Sequence, residues 1–262
     1  MTDVPILQVQ GVSKAFGGIM ALSDVSFEVN EGEILGIIGP NGSGKTTIVN
    51  CITGFVKITT GRVLFRGRQI SGKPPHKIAQ MGVLRTFQIM RPYYSLPAYK
   101  NLVIPLCSPR AKRTGGWRGG GKLGDRSTVG IDILEEIGFE RDSYVPYKIT
   151  NTLPTGYLKR LELARCLALK PEVIICDEVF SGLSMSEISS MVPLIERLQM
   201  DGITIIMIEH RLRELFRVAN RVMVLNFGEK LIEGSPEDVM ADPRVREAYF
   251  GSEEIEEVMK HA

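Results

Sequence analysis

The chain has 262 residues, 44% hydrophobic and 24% charged, the make-up of a globular protein with a large core, as one domain or one domain with an inserted subdomain. Its 32 basic and 30 acidic side chains leave a formal net charge of +2, which excludes a global field drawing it to nucleic acid; a local patch would be needed. No run approaches the roughly 18 apolar residues of a membrane span, and the start MTDVPILQVQGVSK lacks the basic and apolar regions of a signal peptide.

Taken in chain order, ILQVQGV and VSFEV carry apolar residues at period two, with FGG and NEGE as turn material, and predict short strands. EILGIIG is a continuous apolar run, the pattern of a buried central strand. It ends in GPNGSGKTT, after which TIVNCITGF continues as a short helix. GRVLFRG and GVLRTFQ predict further strands, with a helix over PPHKIAQMG between them. From about Arg91 to Leu169 the pattern turns helical around a loose middle; IDILEEIGF and GYLKRLELARCLAL place apolar residues three and four apart.

Residues 109–128, PRAKRTGGWRGGGKLGDRST, set Arg110, Lys112, Arg113, Arg118, Lys122 and Arg126 against one acid, Asp125. They predict a flexible, solvated basic loop, with contact to anionic lipid or nucleic acid through Trp117 as the functional alternative. Strands and helices then alternate through EVIICD, SEISSMVPLIERLQM, ITIIMIEH, RLRELFRVA and RVMVLN, ahead of a strand pair in LNFGEKLIEG and helices begun by SPEDVMAD and DPRVREAYF. This alternation implies a parallel sheet, and the N-terminal strands suggest an antiparallel edge. Cys51, Cys107, Cys166 and Cys176 are far apart, without a CxxC pair or a neighbouring His, as expected of reduced thiols in a cytosolic protein.

Four segments carry chemistry. GPNGSGKT fits G-x-x-x-x-G-K-[ST] between a predicted strand and helix. Gly39, Gly42 and Gly44 let the backbone of Gly39, Pro40, Asn41, Gly42, Ser43 and Gly44 curl around a phosphate at the positive end of the helix entered through Thr46 and Thr47. Lys45 supplies a fixed positive charge for the β and γ phosphates and Thr46 a hydroxyl for Mg²⁺. VIICDE delivers Asp177 at a strand tip to hold the metal and Glu178 beside it to polarise a water. His210 ends ITIIMIEH, and Gln88, after VLRTF, can bridge a metal and a nucleophilic water. Ligands of parallel sheets bind at the carboxyl ends of the strands, where these groups fall.

In this order, phosphate loop, Gln88, LPTGY before a basic helix, VIICDE, SGLS and His210, the chain resembles ABC transporter ATP-binding subunits along essentially its whole length. FGGIMAL, GVLRTFQ, IEHRL and DPRVREAYFG are most similar to the branched-chain (hydrophobic) amino acid uptake group. The resemblance implies an α/β P-loop NTPase core with a mixed sheet, antiparallel N-terminal strands beside a parallel core, formed by residues 1–90 and 170–262. A helical subdomain is inserted at 91–169. It implies ATP and Mg²⁺ as ligands, Phe16 stacked on adenine, Gln88 sensing the γ-phosphate, Glu178 as general base and His210 on the γ-phosphate. It also implies transmembrane permease subunits, a second ATPase subunit paired head to tail, and a place on the inner face of the cell membrane, with no nucleic acid as partner. An exporter of lipid or polysaccharide, and a non-transport ATPase acting on nucleic acid, share these motifs.

The signature of that family is usually Leu-Ser-Gly-Gly-Gln, where this chain has Leu153-Pro154-Thr155-Gly156-Tyr157. Pro154 has neither a hydroxyl nor an N–H, and Thr155 makes close backbone approach harder than glycine would, which is expected to weaken the contact with the partner's nucleotide; Gly156 is the residue of this segment expected to bind it. The expectation is an asymmetric heterodimer, with a homodimer bearing two weak signatures as the alternative. Ser184, where Asp is frequent, and Val179, where proline is usual, are milder departures.

Overall fold

A computed structural model describes residues 5–114 and 126–249. Strands β1 (Leu7–Phe16) and β2 (Ile19–Val29) form a hairpin turned at Gly17 and Gly18, longer than the two short strands read from the sequence. β3 (Ile34–Ile38) follows, then α1 (Lys45–Ile52), β4 (Thr60–Phe65), β5 (Arg68–Gln69), α2 (Pro75–Met81) and β6 (Val83–Arg85). Helices α3 (Lys100–Leu106), α4 (Pro109–Arg113), α5 (Arg126–Glu136) and α6 (Thr155–Leu167) make up the helical stretch. The chain then runs through β7 (Val173–Asp177), α7 (Met185–Met200), β8 (Thr204–Ile208), α8 (Leu212–Val218), β9 (Arg221–Asn226), β10 (Glu229–Gly234), α9 (Pro236–Ala241) and α10 (Pro243–Ala248).

The strands fall into two sheets. The N-terminal ones pair as β2-β1-β4-β5, all antiparallel, and form a sheet of their own rather than an edge of the parallel one. The second sheet has the order β10-β9-β3-β8-β7-β6, parallel except for β10, which is its antiparallel edge. Every residue of β3, β7 and β8 is buried, because both faces of a parallel sheet are covered. Alternate side chains divide between two cores. Leu35, Ile37, Ile175, Ile206 and Ile208 pack with α1 and the antiparallel sheet, while Ile34, Ile38, Ile174, Cys176 and Met207 pack with the helical stretch and α7. Each fully buried Ile contributes about 1.5–3 kcal/mol of transfer free energy, which is why this sheet is the rigid base of the molecule.

The basic stretch 109–128 differs from a solvated loop at both ends. Residues 109–113 form α4, and Arg126 opens α5. Arg110 is buried and donates to the carbonyls of Met81, Leu169 and Lys170 and to Glu172, tying the helical stretch to the sheet. A guanidinium can satisfy several carbonyls at once, so this basic residue belongs inside. Residues 115–125, Trp117 among them, lie outside the described residues. All four cysteines are free, and burial pushes the Cys51 thiol up to about 11 and the Cys166 thiol up to about 12.

Candidate functional site

Parallel pairing sets the carboxyl ends of β3, β8, β7 and β6 side by side: Ile37 is level with Ile208, Ile208 with Asp177, and Ile175 with Arg85. Four chain segments therefore leave the sheet along one rim, carrying the glycine loop, His210, Asp177 with Glu178, and Gln88.

Gly39 and Gly44 stand at φ 154° and 103°, and neither has room for a side chain. A Cβ on Gly39 would lie 2.1 Å from the Leu225 carbonyl oxygen, and one on Gly44 would lie 2.9 Å from that of Ala21. The turn between β9 and β10 supports the loop from outside, since the Gly228 N–H donates to the Ser43 carbonyl. The Lys45 ammonium is buried and donates to the carbonyls of Gly39 and Pro40 at 2.6 and 3.0 Å, so it lies across the loop it is expected to serve. The Ser43 hydroxyl is buried with no hydrogen-bond partner. With the amides of the first turn of α1 at the same end of the helix, these features make a cradle suited to a phosphate chain.

Across the rim, Glu178 sits at φ 55°, in the left-handed region that costs a residue with a Cβ about 1–3 kcal/mol. Gln88 Nε2 donates to Glu178 Oε2 at 2.7 Å, and His210 Nε2 lies 3.1 Å from Glu178 Oε1. The three residues expected to handle water and γ-phosphate thus form one hydrogen-bonded chain. Asp177 is buried and paired with Arg85 at 2.6 Å, and Arg85 also donates to Asn50 of α1 at 2.5 Å. Among the described residues no group of three or more His, Cys, Asp or Glu could hold a metal alone. The oxygens of Thr46, Asp177 and Gln88 are hard donors, a set that fits a magnesium ion keeping most of its ligands as water and phosphate.

Two expected contacts stand apart from this cluster. Phe16, half exposed at the end of β1, carries the Lys14 ammonium 4.6 Å from its ring centre. LPTGY lies at the start of α6, where Pro154 is the N-cap and supplies no side-chain bond. Gly156 packs beneath Glu187, whose carboxylate accepts from the Ser184 N–H and hydroxyl; with hydrogen bonds from Ser184 foremost and the Gly156 amide contributing, its pKa is held below the ordinary value. Ser184 caps α7 in a capping box with Glu187, which gives the residue in the usual aspartate position a local role worth about 1 kcal/mol.

Sequence reasoning missed Arg85, Lys159, Glu187 and Glu209. Lys159 Nζ donates to the Glu178 carbonyl at 2.8 Å, and Glu209, almost fully buried, accepts from the Phe180 N–H at 3.0 Å. Burial pushes the Glu209 carboxyl up to about 8 and the Lys159 ammonium below its ordinary value. One signal was available for Lys159: it shares the buried helical stripe with Gly156 and Leu163, at spacings of three and four.

Comparison with known proteins adds three findings. Residues 22–181 match the ABC transporter family, and residues 229–255 match the branched-chain amino acid ATP-binding cassette transporter family. The high-affinity branched-chain amino acid transport ATP-binding protein LivG of Salmonella typhimurium is 36% identical over 256 residues, 94% of this chain and 98% of its own; BraF of Pseudomonas aeruginosa is 34% identical over 255, again 94% and 98%. Among solved structures, an ABC transporter ATP-binding cassette in its ADP conformation superposes with a TM-score of 0.82 at 32% identity, over 95% of this chain and 100% of that one. A dimeric cassette bound to ADP and Pi does so with 0.74 at 25%, over 88% and 98%.

Proposed function

The chain belongs to the ABC transporter family as an ATP-binding, ATP-hydrolysing subunit, and from that premise we propose that it powers the import of branched-chain or other hydrophobic amino acids. Support for the substrate class comes from the C-terminal match and from the names of the relatives. The subunit works at the inner face of the cell membrane against transmembrane permease subunits; among the described residues no helix is long and apolar enough to cross a membrane. Residues 91–169 act as the inserted helical unit that carries LPTGY.

The Gln88–Glu178–His210 chain carries the reading of hydrolysis. Lys45 exchanges its loop carbonyls for the β and γ phosphates of ATP, a stronger charge-assisted pairing. Thr46, Asp177 and Gln88 would hold a magnesium ion, which would supply charge neutralisation on the phosphates. Glu178 accepts the proton of the attacking water, His210 turns to the γ-phosphate, Gln88 orients the water, and Phe16 stacks on adenine. Such proton transfer is worth about 10²–10⁴ in rate. Glu178→Gln is expected to bind ATP as the parent does and to lose at least about a hundredfold in turnover; a variant hydrolysing at the parental rate would remove Glu178 from this role.

Pairing is head to tail with a second ATPase subunit, each nucleotide lying between one loop and the other chain's signature. Every group expected to serve this chain's own nucleotide is kept in the sequence, whereas Pro154 would offer the partner's nucleotide neither a hydroxyl nor an N–H. We infer an asymmetric heterodimer, hydrolysing chiefly at the loop of Lys45. Nucleotide trapping in the assembled complex tests it: preferential turnover at the partner's loop would overturn it.

A further inference from the structure

The turn that leaves β7 is held by more than its sequence neighbours. The Glu178 N–H donates to the Ile208 carbonyl at 2.8 Å, and the Phe180 N–H to Glu209. The Glu178 carbonyl accepts from the Ser181 N–H at 3.2 Å and from the Lys159 ammonium at 2.8 Å. Lys159 is the one donor of this set that comes from the helical stretch, four residues after Thr155, on the helix that begins at LPTGY. Both Lys159 and Glu209 are buried, so neither exchanges its partner for water at little cost. Glu178 meanwhile holds a backbone conformation that residues with a Cβ rarely adopt. Such a conformation persists only where its surroundings over-determine it.

We propose that Lys159 is a positioning residue for Glu178: its ammonium, clamped on the Glu178 carbonyl, fixes the left-handed turn that aims the carboxylate at Gln88 and His210. Because Lys159 and Gly156 share one helix, the same bond joins the segment that meets the partner's nucleotide to the residue serving this chain's own. A movement of α6 against the sheet therefore reaches Glu178 through its backbone, and hydrolysis in one site depends on where the opposite site has placed that helix.

The proposal rests on Glu178 as the base, so Glu178→Gln is measured beside Lys159→Met and Lys159→Gln in the assembled transporter. Lys159→Met keeps the length and loses the donor; Lys159→Gln keeps a donor and loses the charge. Lys159→Met is expected to lower kcat tenfold or more with ATP affinity within twofold, and Lys159→Gln to recover at least half of that loss on a logarithmic scale. A parental kcat in Lys159→Met overturns the proposal, as does an equal loss in both variants, which would mark the lysine as a mere counter-charge for Glu209. A fall in ATP affinity matching the fall in kcat also overturns it. If Lys159→Met does not fold, Lys159→Gln decides: a kcat within tenfold of the parent supports the clamp, and one at the Glu178→Gln background refutes it. If Glu178→Gln itself turns over normally, the fault lies with the base and not with Lys159.

Discussion

The rim of the parallel sheet and the start of α6 are built on opposite plans. At the rim, Asp177 is buried against Arg85, Glu178 is gripped by Gln88, His210 and Lys159, and the glycine loop is propped by the β9–β10 turn. At the start of α6, Pro154 and Thr155 are exposed, the cap supplies no side-chain bond, and Gly156 is covered by a carboxylate. A site completed within one chain can be organised before anything binds. On the proposed head-to-tail pairing the start of α6 has its partner on another chain, which accords with the few bonds it holds of its own.

Lys45→Ala breaks the first half of this contrast most sharply. It removes charge-assisted hydrogen bonds of about 1.5–3 kcal/mol, so ATP affinity measured by titration calorimetry falls roughly ten- to a hundredfold, with the fold unchanged by circular dichroism. Unchanged affinity would mean that the cradle around Gly39 is not where phosphate binds. The second half is sharpened by giving α6 a better start. Pro154→Ser with Thr155→Gly restores a hydroxyl and an N–H, and turnover at the partner's nucleotide is expected to rise several-fold, on the order of one such hydrogen bond. No rise would leave Glu187, or the partner, as the limiting group.

The smallest effect concerns Glu209, which lies between the two regions. Its folded pKa of about 8 stands above the ordinary 4.5, so the folded protein binds more protons than the unfolded chain between those values. Its contribution to stability is therefore fully present below about 4.5 and is lost as pH rises through about 8. Glu209→Gln should flatten the decline in Tm across that window. An identical slope in the variant would place the titration elsewhere.

Much of the site could be read from the sequence because its parts are local. A loop of three glycines before a lysine, two acids after four apolar residues, and a histidine after a buried run each declare themselves within eight residues. The paired strands and the capping serine of α7 are equally local, set by side-chain alternation and by a hydroxyl three residues before a glutamate. Arg85, Lys159 and Arg110 were illegible as partners. A basic side chain in a helix or strand reads as solvated unless the carbonyls or carboxylates it meets are known, and here those stand 19 to 92 residues away.

By itself, then, the sequence determined most of the strands and helices and the ATP-binding family, and it set the expectation of a weakened signature at Pro154, since each follows from residues in covalent succession. Only the tertiary structure decided that the N-terminal strands form a separate sheet, that Gln88, Glu178 and His210 meet, and that a lysine on the signature helix holds the Glu178 turn. Those are matters of which strand edges pair and which buried polar groups find each other, and burial enforces them by making every unpaired group costly.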